Sequence, residues 1–170
     1  MNTSAKPLVV KPVTLLTDPG HFLALGFGSG CAPVAPGTFG TLAALPLCWL
    51  ALHLSPALYA GLTLLLALLG VYLCGRTAQA LGGHDHPAIV WDELVGIFLT
   101  MLAAPKEWYW LLLGFVLFRF FDILKPWPVS VADQSLEGGF GIMADDILAA
   151  AYAWLVLQLI SYGLTNLIGA

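Results

Sequence analysis

Residues 57–75 read ALYAGLTLLLALLGVYLCG and contain no charged side chain. An α-helix needs about 17–25 apolar residues to cross a bilayer, and this segment meets that requirement. Four further apolar segments accompany it, of which the first two are at or just below the lower length limit: Phe39–Leu54, Ile89–Ala104, Trp108–Leu124 and Ile147–Ile168. Prolines and glycines, which end helices, lie between these segments. The order predicts an all-α, polytopic helical membrane bundle with about five transmembrane helices.

The composition supports a membrane protein and excludes several other classes. Of the 170 residues, 59% are hydrophobic and 9% are charged, and the mean hydropathy is +0.89. Soluble domains carry about 25% charged residues, so an ordinary soluble enzyme and a disordered chain are both excluded. The net charge is −4, whereas proteins that bind nucleic acid use an excess of basic residues to neutralise the phosphates. No nucleic-acid partner is therefore predicted. The sequence indicates no protein partner.

The N-terminal part of the chain differs from the five apolar segments. Residues 21–36 are apolar but short and are interrupted by glycines and prolines, so we expect a short interfacial or re-entrant segment. Residues 1–20 are expected to form a cytoplasmic N-terminal tail without a cleaved signal peptide. Residues 21–170 are expected to form a single membrane-embedded domain. The cysteines form no CxxC pair and are expected to stay reduced.

The basic residues predict the orientation of the chain. With five spans, five of the six basic residues lie on one side of the membrane: Lys6, Lys11, Arg76, Arg119 and Lys125. Positive residues favour the cytoplasmic side, so the N-terminus is predicted inside and the C-terminus outside. The same topology puts most acidic residues on the cytoplasmic side: Asp85, Asp92, Glu93, Asp122, Asp133, Glu137, Asp145 and Asp146. The cytoplasmic end of the bundle is therefore predicted to carry the chemistry.

Two pairs of adjacent acids are the strongest candidates for a metal site. Asp92-Glu93 lies within an apolar frame, and Asp145-Asp146 opens the last span. A carboxylate at membrane depth costs about 2.5–3.5 kcal/mol and is usually retained for function. Together with Asp122, the pairs offer enough hard oxygen ligands for Mg²⁺. Two structural alternatives remain open: acids at headgroup level near a helix N-terminus, and an N-cap role for one aspartate.

Basic and hydroxyl side chains accompany these acids. Arg119 and Lys125 lie on either side of Asp122 and could hold a substrate phosphate or anchor the helix at the lipid interface. The glycine-rich residues 26–40 include the hydroxyl side chains of Ser29 and Thr38 and lead into a predicted helix. This pattern is typical of an anion-binding site, although a GxGxG run alone is a weak signal.

The segment His84-Asp85-His86 lies in the predicted cytoplasmic turn between the second and third spans. It could supply metal ligands or a general acid and base, and exposed loop histidines without a role are an equal alternative. The chain lacks the DxDxT nucleophile, the Cys-x5-Arg loop, the DGxxAR run and the phosphohistidine elements of other phosphoryl-transfer enzymes. Metal-assisted attack by water remains among the phosphoryl chemistries.

Four blocks of the chain resemble the phosphatidylglycerophosphatase A family. They are GFGSG at 26–30 with APGTFGT at 35–41, HDH at 84–86 with IVWDE at 89–93, FRFFDILKPWP at 118–128, and GGFGIMADD at 138–146. The blocks follow one another in the family's order across about residues 20 to 165. Each block is weak alone, but the four together are highly specific.

The resemblance implies a Mg²⁺-dependent lipid phosphatase of the bacterial inner membrane, which hydrolyses phosphatidylglycerophosphate to phosphatidylglycerol and phosphate at the cytoplasmic face. Its partners would be this lipid substrate and the surrounding membrane lipids. The implied metal ligands are Asp85, Asp92, Glu93, Asp122, Asp145 and Asp146. Asp92, Glu93, Asp146 and His86 are the candidate catalytic residues, and Ser29, Thr38, Arg76, Arg119 and Lys125 are the candidate phosphate-binding residues.

Two other functions compete with this interpretation. A small cation- or proton-coupled transporter also carries carboxylates within the membrane. Such a transporter needs polar groups near mid-membrane that are accessible from both sides, whereas the predicted polar groups crowd at one end. A non-catalytic subunit of a lipid-enzyme complex would be distinguished by the absence of phosphate release from the purified chain.

Overall fold

The computed structural model describes residues 11–83 and 86–168, and all regular structure in these ranges is helical. Seven α-helices follow one another there: α1 (Pro19–Ala24), α2 (Pro36–Ala51), α3 (Pro56–Leu81), α4 (Trp91–Thr100), α5 (Trp108–Leu124), α6 (Val129–Ser135) and α7 (Gly138–Ile168). Short 3₁₀ helices cover Pro12–Leu15 and Gly26–Cys31. The all-α prediction is confirmed.

Local sequence explains where the helices begin. Helices α1, α2 and α3 each start with a proline, whose fixed φ and missing N–H suit the first helical position. The Asp18 carboxylate caps α1 by accepting hydrogen bonds from the backbone N–H groups of Gly20 and His21. The Ser55 hydroxyl caps α3 in the same way.

Helices α4 and α7 form the centre of the molecule. Helix α7 packs against α3, α4, α5 and α6, and α4 also packs against α2, α3 and α5. Eight of the residues in α4 are buried, so this helix is enclosed by the others. At 1.5 Å per residue, its ten residues extend about 15 Å, which is half of a bilayer's hydrocarbon thickness. The predicted third span is therefore a short core helix with non-helical flanks.

Two helices are long and apolar enough to cross a membrane by length and composition, namely α3 and the Gly138–Leu164 part of α7. Only 28% and 22% of the residues in their most apolar windows are buried, unlike the core helix of a soluble protein. Large apolar side chains instead cover their outer faces, including Leu64, Leu65 and Leu68 on α3 and Leu159 on α7. Extensive exposed apolar surface of this kind is typical of membrane or protein contact sites.

Glycines let the central helices approach closely. A Cβ at Gly139 of α7 would overlap the Val71 carbonyl oxygen and lie 2.7 Å from the Gly75 nitrogen on α3. A Cβ at Gly96 of α4 would overlap the ring of Phe118 on α5. Small residues at helix contacts drive helix association in membranes because they allow dense packing of backbones.

Successive long helices run in opposite directions, so the chemistry gathers at one end. The start of α2 at Gly37 lies beside Glu93 at the start of α4 and Arg119 near the end of α5. At the other end, Tyr59 near the start of α3 donates a hydrogen bond to the Phe98 carbonyl near the end of α4, over 2.8 Å. The predicted concentration of charged residues at one end therefore follows from the alternation of helix directions.

Residues 21–36 form α1, the second 3₁₀ helix and a turn into α2. Phe27 (φ 58°) and Ala35 (φ 47°) adopt left-handed backbone conformations and break the helical path. The Val90 N–H donates a hydrogen bond to the Ala24 carbonyl, which joins this segment to the residues before α4. The expected interfacial or re-entrant location of residues 21–36 stays a prediction.

Candidate active site

Three carboxylates from two helices converge at the centre of the bundle. Asp92 and Glu93 lie in the first turn of α4, and Asp146 lies in the third turn of α7. One oxygen from each of the three lies within 4.8 Å of the other two. Asp92 and Asp146 are buried, with exposed fractions of 7% and 3%. We call Asp92, Glu93 and Asp146 the carboxylate cluster.

The carboxylate cluster has oxygens without partners. Asp92 Oδ1, Glu93 Oε2 and Asp146 Oδ2 are buried and accept no hydrogen bond. Buried polar atoms are nearly always satisfied, and three unpaired carboxylate oxygens at one point are donors that a cation could satisfy. Mg²⁺ takes oxygen ligands at about 2.0–2.1 Å, which puts opposite ligands about 4.2 Å apart. Small side-chain movements would bring these oxygens from their present separation to that geometry, so the residues fit a hard divalent ion.

Arg119 borders the carboxylate cluster. Its Nη1 atom lies 2.6 Å from Asp122 Oδ2, one helical turn further along α5, and 3.7 Å from Glu93 Oε1. Its Nε atom is buried without a hydrogen-bond partner. Asp122 lies beside Asp146 as well, so it connects the guanidinium with the carboxylate cluster. Arg119 and Asp122, both predicted from the sequence as site residues, therefore lie beside the carboxylate cluster.

The start of α2 closes one side of this group. A Cβ at Gly37 would overlap Glu93 Oε1 and would lie 3.2 Å from Arg119 Nη1. The residue before α2, Ala35, has no capping side-chain hydrogen bond. A helix N-terminus presents unpaired backbone N–H groups that attract anions. Glycine at position 37 thus lets this polar backbone reach the carboxylate cluster and Arg119.

Lys125 and Asp145 form a separate ion group. Lys125 Nζ lies 2.8 Å from Asp145 Oδ2 and also pairs with Asp133 on α6. Burial of the ammonium lowers the Lys125 pKa, but the hydrogen bonds to Asp133 and Asp145 outweigh it, so the pKa is raised above its usual value. Asp145 is therefore engaged away from the carboxylate cluster. Adjacent helical positions point about 100° apart, which explains why Asp145 and Asp146 diverge.

Arg76 lies in another ion pair, which joins α3 to α1. Its two terminal nitrogens donate hydrogen bonds of 2.8 Å to the two oxygens of Asp18. The hydrogen bond from Arg76 and those from the α1 backbone hold the Asp18 pKa well below its usual range. The next residue, Thr77, contacts the buried His21 ring at 2.9 Å. The described contacts thus join Arg76 to the N-terminal helix and not to the carboxylate cluster.

The remaining predicted site residues make local contacts or lie outside the described ranges. The Ser29 hydroxyl donates to the Gly26 carbonyl, 2.7 Å away, and stabilises its own turn. His86 Nδ1 accepts a hydrogen bond from the Ala88 N–H within the same loop. Thr38 is half-buried in the first turn of α2, one residue after Gly37. Asp85 lies outside the residues that the structure describes.

The carboxylate cluster is recessed within the bundle. The sulfur of Met143, one turn before Asp146, lies 4.0 Å from the Cys74 sulfur on α3. Cys74 precedes the end of α3 by seven residues, which is about 10 Å along a helix axis. A cavity of about 460 Å³ opens between this end of α3 and the α6–α7 junction, and Asp133, Glu137 and Asp145 are among its lining residues.

Sequence reasoning missed three of these contacts. Nothing in the spacing of Asp18 and Arg76 indicates a pair across 58 positions. The buried His21–Thr77 contact has no sequence pattern either. The pairing of Lys125 with Asp133 depends on the turn between α5 and α6. A partial signal did exist for the divergence of Asp145 and Asp146, because neighbouring residues of one helix point about 100° apart. It was not decisive, since the neighbours Asp92 and Glu93 do meet at one point.

The fold and the site together define a class: helical proteins with helices long and apolar enough to cross a membrane and with a buried cluster of three carboxylates. The chain matches the model of the PgpA family, phosphatidylglycerophosphatase A, over residues 22–161. The chain belongs to this family.

Two curated relatives agree with the family model. A phosphatidylglycerophosphatase A of Haemophilus influenzae is 50% identical over 162 residues, which cover 94% of this chain and 98% of the relative. The phosphatidylglycerophosphatase A of Escherichia coli K12 is 44% identical over 155 residues, covering 91% of this chain and 90% of the relative. No solved structure matches the chain.

Proposed function

We propose that the protein is a Mg²⁺-dependent phosphatase that hydrolyses phosphatidylglycerophosphate to phosphatidylglycerol and inorganic phosphate. The observation that carries this proposal is the carboxylate cluster, with three buried unpaired oxygens, in a member of this family. The family membership supports the lipid phosphomonoester substrate. The hard oxygen donors support magnesium, because Mg²⁺ combines a few carboxylates with water and substrate phosphate.

In this proposal Asp92, Glu93 and Asp146 hold the metal ion. Mg²⁺ bound there would polarise a phosphoryl oxygen and lower the pKa of a water molecule. The residues themselves supply charge and position: Asp92 and Asp146 are buried where α4 and α7 pack together. Asp122 supports the cluster through Arg119 and its position beside Asp146. Asp145 belongs with Lys125 and is not among the proposed ligands.

Arg119 is the proposed phosphate-binding side chain. It already neutralises Asp122 and approaches Glu93, and its buried Nε has a donor to spare for a phosphate oxygen. A planar guanidinium can bind two phosphate oxygens at once. The backbone N–H of Gly37 would bind a further phosphate oxygen, since Pro36 has no N–H and those of Thr38 and Phe39 donate to the Ala35 carbonyl. Ser29 and Arg76 are engaged elsewhere, so their proposed role is to shape the surrounding loops.

The reaction proposed for this site is direct hydrolysis. A water oxygen forms a bond to the terminal phosphorus, and the bond from phosphorus to the glycerol oxygen breaks. The leaving oxygen takes the proton that the base removed from the attacking water and becomes the free hydroxyl of phosphatidylglycerol. A carboxylate of the cluster or His86 is the candidate base that accepts the proton of the attacking water. His86 would have to leave its present hydrogen bond with Ala88 to do so.

We further propose that the protein crosses the bacterial inner membrane five times, through α2, α3, α5, α7 and the 89–104 segment, in which α4 and its non-helical flanks together make the crossing. The alternation of helix directions and the apolar outer faces of α3 and α7 support this topology. The basic residues favour a cytoplasmic N-terminus and a cytoplasmic active site. Residues 1–20 form the proposed tail and residues 21–170 the membrane domain, with Asp18 of the tail already paired with Arg76.

Product analysis tests the proposed substrate. The detergent-purified protein is incubated with Mg²⁺ and either phosphatidylglycerophosphate or phosphatidylglycerol, and lipids and free phosphate are then separated. We expect one phosphate and one phosphatidylglycerol per phosphatidylglycerophosphate consumed, and no phosphate from phosphatidylglycerol, which carries only a phosphodiester. The Asp92→Asn variant is the matched control for contaminating phosphatases. Equal release by the variant and the unsubstituted protein would refute the proposal.

A further inference from the structure

We infer that Lys125 is a positioning residue: through its ion pair with Asp145 it fixes the rotation of α7 and thereby holds Asp146 in the carboxylate cluster. The inference rests on the proposed function, since it concerns the metal site described there. It replaces two sequence-based expectations, a phosphate-binding role for Lys125 and a metal-binding role for Asp145. The ion pair between Lys125 and Asp145 gives both side chains one structural role.

The Lys125–Asp145 pair is placed to act on α7. Lys125 Nζ and Asp145 Oδ2 are 2.8 Å apart, and the side chains are 32% and 9% exposed. An ion pair this sheltered is less weakened by water than an exposed pair. Lys125 ends α5 in a left-handed conformation, with φ 45° and ψ 58°, so its backbone position is set by the end of that helix. The pair therefore links a fixed point on α5 to one face of α7.

Asp145 and Asp146 share this constraint because they are adjacent on one helix. Their side chains point about 100° apart around the α7 axis. When Lys125 holds Asp145 on one face, Asp146 is directed toward Asp92 and Glu93 on α4. The sequence of two consecutive aspartates is thus used for two different purposes, one for alignment and one for the carboxylate cluster.

The position of Asp146 is sensitive to helix rotation. Side chains extend about 5–6 Å from a helix axis, so a rotation of about 10° displaces a carboxylate by about 1 Å. Mg²⁺ demands near-ideal octahedral geometry with ligand distances of about 2.0–2.1 Å. A small rotation of α7 would therefore weaken metal binding without unfolding the bundle.

Near Asp146, the contact of α7 with α3 involves small or flexible residues. Gly139 has no side chain to interlock with Val71 and Gly75. Met143 is flexible, and the buried positions that follow Asp146 include Ala149 and Ala150. Farther along α7, side chains donate hydrogen bonds to backbone carbonyls, from Tyr152 to Trp127 and from Trp154 and Gln158 to Leu102. The Lys125–Asp145 pair is a directional contact at the turn that carries Asp146.

Metal binding tests the inference without relying on activity. Mn²⁺, which also prefers oxygen ligands, is titrated into the detergent-purified protein and the free ion is followed by electron paramagnetic resonance. We expect Lys125→Met and Asp145→Asn each to raise the Mn²⁺ dissociation constant about tenfold. The double variant should bind Mn²⁺ no more weakly than Lys125→Met alone, because Lys125→Met already breaks the contact with Asp145 together with the one to Asp133. Lys125→Arg keeps the charge and should stay within about threefold of the unsubstituted protein.

Two controls separate alignment from other roles. Lys106→Met removes an exposed lysine at the opposite end and should leave the Mn²⁺ dissociation constant unchanged. The KM for phosphatidylglycerophosphate at saturating Mg²⁺ should change less than about twofold in Lys125→Met. If Lys125→Met fails to fold, the nearly isosteric Asp145→Asn and the Lys125→Arg variant still carry the test.

The outcomes distinguish this inference from the proposed function. Unchanged Mn²⁺ binding in Lys125→Met and Asp145→Asn would overturn the positioning role, and a raised lipid KM in Lys125→Met would then assign Lys125 to the substrate. Multiplied effects in the double variant would also overturn it, because the two residues would act separately. Absence of Mn²⁺ binding by the unsubstituted protein would overturn the metal site itself and the inference with it.

Discussion

At the residue scale, the carboxylate cluster is a concentration of negative charge with little compensation. Asp92 and Asp146 are buried and have unpaired oxygens, and Arg119 approaches only Glu93 at 3.7 Å. Like charges at this separation oppose one another strongly in a low-dielectric interior. Repulsion among the carboxylates destabilises the fold when no cation is bound, and a divalent cation would relieve it. The burial of these residues is thus connected to their proposed chemistry.

Isosteric neutralisation of the cluster should separate activity from stability. We expect Asp92→Asn, Glu93→Gln and Asp146→Asn each to lower kcat/KM more than about 100-fold, since partners of metal ligands alone contribute about 10–100-fold. Without added metal, Asp92→Asn and Asp146→Asn should melt at the same or a higher temperature, because charge repulsion is relieved. Phosphate release and thermal melting in detergent measure the two effects.

Glu107→Gln is the matched control for these variants, because Glu107 is an exposed acid at the other end of the bundle. It should leave phosphate release unchanged. Near-normal turnover in all three cluster variants would contradict the proposed metal site. Lower melting temperatures in the absence of metal would instead show that the carboxylates stabilise the fold.

Arg119 should act mainly on the chemical step. Arg119→Gln removes the positive charge beside the reacting phosphate, and we expect kcat to fall about 100-fold, the usual loss for one donor to a charged transition state. Arg119→Lys keeps the charge but loses the planar pair of donors, so an intermediate loss is expected. Steady-state kinetics with phosphatidylglycerophosphate measure both. A rise in KM with unchanged kcat would mean that Arg119 binds substrate and transition state equally.

At this scale, the sequence predicts the type of residue better than its partner. Asp92 and Asp146 could be predicted as site residues because acids within apolar segments are costly. The direction of the Asp145 side chain could not be predicted, because its partner Lys125 lies beyond the end of α5 and reaches it only after the chain turns. Arg76 has the same difficulty, since its partner Asp18 is brought near by α1.

At the element scale, the contact between α3 and α7 depends on glycine. Gly139→Ala adds a methyl group that would overlap the Val71 carbonyl oxygen, and overpacking of this kind costs about 1–3 kcal/mol. We expect a lower melting temperature in detergent. Gly61→Ala is the control on α3, since a Cβ at Gly61 meets nothing within 4 Å and alanine favours a helix interior by up to about 1 kcal/mol. Equal melting temperatures for the two variants would contradict the close helix contact.

Element lengths show where sequence patterns reach their limit. The apolar segments correctly indicate helices at α2, α3, α4, α5 and α7, since hydrophobic content follows burial in protein or lipid. Apolar content cannot separate lipid from protein surroundings, so the 89–104 segment gives no sign that α4 contains only ten residues. The turn at Ala103, with φ 58°, also lacks the glycine that usually marks a left-handed position.

At the scale of the whole molecule, the proposed topology determines on which side of the membrane each end of the chain lies. Five crossings require the ends of the chain to lie on opposite sides of the membrane. Reporter fusions after Gly83 and Glu137 should report the cytoplasm, and fusions after Lys106 and at the C-terminus should report the outside. A cytoplasmic C-terminus would mean an even number of crossings, and the internal fusions that change side would show which proposed crossing is absent. If Gly83 and Glu137 stay cytoplasmic, the missing crossing is α7.

In the proposed mechanism, the carboxylate cluster binds a divalent cation that is required for phosphate release from the lipid. The most direct measurement follows phosphate release from phosphatidylglycerophosphate by the detergent-purified protein, first with Mg²⁺, then with excess EDTA, then with Mg²⁺ restored. We expect phosphate release to stop with EDTA and to return with Mg²⁺. The Asp146→Asn variant should need a much higher Mg²⁺ concentration for the same release. Release that continues in EDTA, or that needs the same Mg²⁺ concentration in Asp146→Asn, would contradict the proposed metal site.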